Sequence, residues 1–185
     1  MPDQTFTAGQ ILTAAQQTDL QTNIGLSLIS KVNFTGARPA QAVSVFNSNF
    51  TNYRIVANVY GGVGEELFLR FYSGTTTEIS TGNYTRYGVS QTTSGAVTSA
   101  FVDSGNRYVL GEVAASSSQF NSVVMDVFNP NTPTRTTVAF TAMSINNGQY
   151  LNCTGQVSLT TQITGFLLQG LNNNITGNLA VYGYR

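Results

Sequence analysis

From about residue 31 onward, apolar and polar positions alternate with a period of two. β-Branched and aromatic residues stand between turns rich in Gly, Asn, Ser and Thr. The alternation predicts strands at Ala42–Phe46, Tyr53–Tyr60, Glu66–Tyr72, Ala96–Val102, Arg107–Ala114, Phe120–Phe128, Thr136–Ile145, Tyr150–Leu159, Gly165–Leu171 and Leu179–Tyr184. In the third of these, Leu67, Leu69 and Phe71 share one face, and Phe68, Arg70 and Tyr72 the other. Ser122–Phe128 is apolar on both faces, which predicts a central strand covered twice. Short strands separated by Gly61-Gly62, Ser73-Gly74, Asn129-Pro130-Asn131, Asn147-Gly148 and Asn172-Asn-Asn174 point to an all-β, antiparallel β-sandwich, jelly-roll-like in type. No strand–helix alternation supports a parallel sheet. Residues 73–99 form the longest polar excursion and read as an extended surface loop carrying Tyr84, Arg86 and Tyr87.

Residues 1–30 follow a different rule. Thr13-Ala-Ala-Gln16 has the form of a capping box, good helix formers follow, and Gly25 is placed to end the helix, which predicts a short helix over 14–24. Leu20, Ile24 and Leu28 recur every four residues. A helix this short does not hold in water alone, so the stripe, with Leu12 ahead of it, is expected to dock on the body, on a second copy or on another protein. The expected organisation is a docking segment at 1–30 and a β-sandwich domain at 31–185.

Composition narrows the chemistry. Among 185 residues there are 25 Thr, 16 Ser, 18 Asn and 12 Gln, against 16 charged side chains in all. Disorder is argued against by 11 Phe and 9 Tyr at a formal charge of zero. The chain has no His, which removes Ser-His-Asp, Cys-His and His-based zinc sites. Lys31 and seven Arg are balanced by eight acids, so no cationic face for nucleic acid is expected. No apolar run is long enough to span a membrane as a helix, and the opening residues lack the pattern of a secretory signal.

The remaining candidates are read as structural. Glu65 and Glu66 are adjacent, so in a strand they point to opposite faces and do not flank one bond; their place at a strand start reads as exposed. Glu112 and Asp126 are expected to pair with Arg54, Arg70 or Arg107 across the sheet. Gly61-Gly-Val-Gly64 opens no helix and carries no Lys, so it is no phosphate loop. Asp103, Ser104 and Asn106 read as a plain turn rather than a calcium loop. Cys153 is the sole cysteine and sits in an alternating stretch, where a small buried residue is expected. No catalytic residue, cofactor or metal is expected.

One segment carries more than class. Phe6-Thr-Ala-Gly-Gln-Ile-Leu-Thr-Ala-Ala-Gln16 resembles the F-x-A-G-x-x-L-T-A-A opening of tailed-bacteriophage tail and fibre-type structural proteins. Phe46-Asn-Ser-Asn-Phe-Thr-Asn-Tyr-Arg-Ile55 and the ending Gly177-Asn-Leu-Ala-Val-Tyr-Gly-Tyr-Arg185 are similar to stretches of such virion proteins. The resemblance implies a non-enzymatic virion subunit made in the host cytoplasm, of tail, fibre or appendage type. A homo-oligomer is expected from the residues themselves: Phe68 and Tyr72 lie opposite Leu67, Leu69 and Phe71, a sandwich covers one face of each sheet, and the second aromatic set needs a neighbour's surface or an edge loop. The resemblance adds that the oligomer is a trimer, as in such appendages, in contact with other virion proteins. Leu12, Leu20, Ile24 and Leu28 then serve docking. The alternatives are a capsid decoration or head-fibre protein, and a lectin-like module whose Tyr84, Arg86 and Tyr87 contact a host-surface glycan.

Overall fold

The computed structural model describes residues 25–184, apart from 43, 63–64, 75–76, 81, 93–94, 96, 114–118 and 145–147. The expected helix, with Leu12, Leu20 and Ile24, lies outside the described residues. Those described contain strands and turns and no helix.

Thirteen strands follow in chain order: β1 (Leu26–Ala37), β2 (Ala40–Ala42), β3 (Asn52–Tyr60), β4 (Glu65–Ser73), β5 (Thr77–Glu78), β6 (Tyr84–Thr92), β7 (Val97–Gly105), β8 (Tyr108–Val113), β9 (Asn121–Phe128), β10 (Thr136–Ser144), β11 (Gln149–Val157), β12 (Gly165–Gly170) and β13 (Ile175–Tyr184). They form two antiparallel sheets. The large sheet runs β1-β13-β3-β9-β10-β11-β6-β7, and the small one β2-β12-β4-β5, with β8 also paired to β4.

The two sheets meet over one apolar core, because the alternation in each strand turns one side chain in two toward the partner sheet. Burial along β3 reads half-buried, buried, half-buried throughout, with Tyr53, Ile55, Ala57 and Val59 all inward. Aromatic rings bridge the layers. Tyr108 of the small sheet stands edge-on to Tyr84 of the large one at 5.0 Å between centroids, and Phe71 lies parallel to Tyr84 at 6.3 Å. Phe46, in the connection after β2, packs at 4.8 Å from Tyr53 and 5.9 Å from Phe166, closing the other end. Gly155 makes room for Tyr108: a Cβ there would stand 2.5 Å from the Thr85 carbonyl and 2.9 Å from the Tyr108 ring.

Three sequence expectations change. β1 begins at Leu26, so the sheet crosses the expected boundary at residue 30, and Leu28 belongs to a strand instead of a helical stripe. Residues 73–99 are not one loop: β5, all of β6 and the start of β7 lie inside it. β9 is central in the large sheet but covered on one face only, its Val124 being exposed. The strands covered on both faces are β4 and β12.

Candidate functional site

The residues proposed from sequence for glycan contact do not share a surface. Tyr84 points into the core; it is 1% exposed, and its hydroxyl oxygen accepts from the Phe71 N–H at 2.7 Å. Arg86, two positions on, faces the same way and donates to the Val109 carbonyl of β8. Tyr87 points outward and is 48% exposed. Strand alternation explains the split, because neighbours in sequence occupy opposite faces. Of the expected docking residues, Leu28 is described: it sits on the edge strand opposite Tyr182 and is well exposed.

The acidic residues are tied into the fold. Asp126 and Arg54 are opposite one another on β9 and β3 and make a two-pronged ion pair, both prongs 2.7 Å long. The Tyr184 hydroxyl donates to the same carboxylate at 2.5 Å. The Arg54 bonds and the Tyr184 hydroxyl hold the Asp126 pKa below the ordinary carboxylate value, against some desolvation. Desolvation and that same carboxylate push Tyr184 up to about 12. The pairing of Asp126 with Arg54 follows the sequence expectation. Glu66 instead pairs with Arg107 at 2.7 Å, and Glu78 with Arg70 at 3.1 Å.

Glu65 departs from expectation. It is buried, and its carboxylate accepts from the backbone N–H groups of Asn172 and Asn173 and from the Asn173 side-chain amide. It closes the turn between β12 and β13. Three donors on a carboxylate explain how an acid is tolerated there. Cys153 is buried as expected, with Gly88 directly opposite on β6. Burial raises its thiol pKa to about 11, which leaves little thiolate near neutrality. Among the described residues no three His, Cys, Asp or Glu side chains gather to hold a metal.

The chain matches no protein-family model and no curated protein.

What remains is surface. The small sheet's outer face carries Phe68, Tyr72 and Leu167 as a second buried cluster. Arg70 and Arg107 lie over the Phe68 ring at 5.1 and 4.9 Å, and Gln41 donates to the Tyr72 hydroxyl. The sequence-based case for a neighbour over these aromatics therefore loses its footing, since the chain covers them itself. The large sheet's outer face differs. On β10 its outward positions are Thr137, Ala139, Thr141 and Met143; on β11, Tyr150, Asn152, Thr154 and Gln156; on β6, Thr85, Tyr87, Val89 and Gln91. None is charged, and Tyr87, Val89, Met143 and Tyr150 are exposed. A depression of about 370 Å³ opens among Tyr87, Phe128, Thr137, Ala139, Thr154 and Gln156. A second, of about 220 Å³, adjoins it across Ala139 and reaches the Arg54–Asp126 pair.

Proposed function

We propose that this chain is a non-enzymatic structural subunit of a tailed-bacteriophage virion, of tail, fibre or appendage type. It assembles as a homo-oligomer, a trimer, and joins other virion proteins through residues 1–24 and the adjoining edge strand β1. The strand order is the observation that carries this reading. Eight strands, β1, β2, β3, β4, β8, β9, β12 and β13, divide equally between the sheets. Four lie in the order β1-β13-β3-β9 and four in the order β2-β12-β4-β8. That order supports the jelly-roll reading, two Greek keys in a fold shared by viral capsid and lectin domains. Two hairpins, β6–β7 and β10–β11, extend the large sheet beyond that framework. The resemblance of residues 6–16, 46–55 and 177–185 to virion proteins supports the same reading.

The chemistry agrees with assembly. Four of the described carboxylates, Asp126, Glu66, Glu78 and Glu65, are engaged in ion pairs or turn closure. Leu26 and Leu28 are exposed where the chain enters the sheet from residue 25, next to the expected docking segment. Immunogold electron microscopy of particles from the producing cells tests the location, with label expected on tails or fibres. Light scattering on the purified chain and on a variant lacking residues 1–24 tests the assembly. A trimer that dissociates on deletion is expected. A monomer unaffected by the deletion, with no label on particles, overturns the reading. The deletion stops at residue 24 because β1 starts at Leu26.

A further inference from the structure

We propose that the trough on the outer face of β9, β10, β11 and β6 binds an uncharged oligosaccharide, with Tyr87 as the stacking platform. The walls of the trough are aromatic and its floor is small. Register puts Phe128, Thr137 and Gln156 in one row across the sheet, and Ala139, Thr154 and Tyr87 in the adjacent row. Phe128 and Tyr87 are thus three strands and one row apart, about 16 Å at the usual strand spacing and rise. Thr137, Ala139 and Thr154 between them are short, and with Gln156 they line an opening of about 370 Å³. That volume lies in the range of small-ligand sites.

The occupant follows from the chemistry of the lining. Tyr87 presents its ring at 48% exposure, and an aromatic face suits the apolar C–H face of a pyranose. Thr137, Thr154 and Gln156 supply hydroxyl and amide groups beside it. Neither they nor the Tyr87 side chain form a hydrogen bond with another described residue, so these groups are available to sugar hydroxyls. None of the lining residues is charged, and the Arg54–Asp126 pair of the adjoining depression is neutralised internally. A phosphorylated, sulfated or sialylated glycan finds no cation in the trough, so charge complementarity selects a neutral one. This site shares only Tyr87 with the set read from sequence, and it does not depend on where the protein sits in a particle.

The test uses the full chain on a printed array of neutral oligosaccharides of glucose, galactose, mannose, rhamnose and N-acetylglucosamine, with sialylated and sulfated glycans alongside. Binding to at least one neutral class and not to the anionic ones is expected. Titration calorimetry with the best neutral hit follows. Tyr87→Ala should weaken it about tenfold, and Ala139→Arg, which fills the floor, should abolish it. Tyr87→Phe should keep it within about threefold, because the ring is retained. Unchanged melting temperatures show that the variants fold. If no neutral glycan binds, if only anionic ones do, or if Ala139→Arg leaves affinity intact, the proposal fails. It fails equally if Ala139→Arg instead dissociates an oligomer in light scattering, which assigns the face to a second copy.

Discussion

The outer faces of the two sheets solve one problem in opposite ways. On the small sheet, apolar side chains of β4 and β12 that point away from the core are roofed by the chain's own cations: Arg70 and Arg107 lie over Phe68, each anchored by a carboxylate. On the outer half of the large sheet, β10, β11 and β6 present Tyr87, Val89, Met143 and Tyr150 with no charged residue among their outward positions. A long guanidinium side chain covers an aromatic ring while keeping its charge wet, so it completes a surface in place. Hydroxyls, amides and isolated rings leave a surface unfinished and available. The contrast separates a face that serves stability from one free to serve recognition.

The strongest way to break this comparison is Phe68→Ala. If the small sheet's outer cluster is a true second core, the substitution costs about 3–5 kcal/mol, measured by urea unfolding. A cost below about 1 kcal/mol would place Phe68 with ordinary surface residues. Next in size is Gly155→Ala. The added Cβ meets the Thr85 carbonyl and the Tyr108 ring, so the bridge between sheets must shift, at about 1–3 kcal/mol in the same assay.

Asp126→Asn probes the inner half of the large sheet, where a charged pair does exist. The pair is partly exposed, so the loss should stay within about 1 kcal/mol near neutral pH. The sign with pH is more telling. The folded-state pKa of Asp126 is lowered, so its contribution is present above the ordinary value of 3.8 and is lost as pH falls through the folded value. Burial raises Cys153 from 9.0 to about 11, and burial with Asp126 raises Tyr184 from 10.0 to about 12. Their contributions are complete below those unperturbed values and decline as pH rises toward the folded ones. Unfolding followed against pH should therefore show an alkaline decline beginning near 9, and an acid limb that Asp126→Asn flattens. The smallest effect is expected from Tyr87→Ala, within about 0.5 kcal/mol of the parent in stability. A large loss there would show that the ring props the fold and is not a free platform.

Most strands were legible because alternation in β3, β10, β11 and β13 has its apolar residues on the core side, the sign that period-two reading assumes, while β4, β9 and β12 read as apolar runs between turn signals. β6 has the alternation with the sign reversed. Its inward positions include Arg86, Gly88 and Ser90, and its outward ones Tyr87 and Val89, so it reads as a polar loop. The reversal has local causes: Arg86 reaches the Val109 carbonyl, and any Cβ at residue 88 would strike the Cys153 sulfur at 2.5 Å. Glu65 was misread for a related reason. Nothing near it in sequence predicts that Asn172 and Asn173 supply its donors.

The sequence by itself determined the all-β class, the antiparallel strands, the buried Cys153 and the lack of any His-based chemistry. Each follows from local periodicity or from composition, which need no knowledge of neighbours. Tertiary structure alone decided that Phe68 is roofed from within, that Asn172 and Asn173 supply the donors to Glu65, and that Tyr87 and Phe128 come to flank one trough. Those are facts of register between strands distant in the chain. Register is set by how whole sheets bury their faces, which no short window of residues contains.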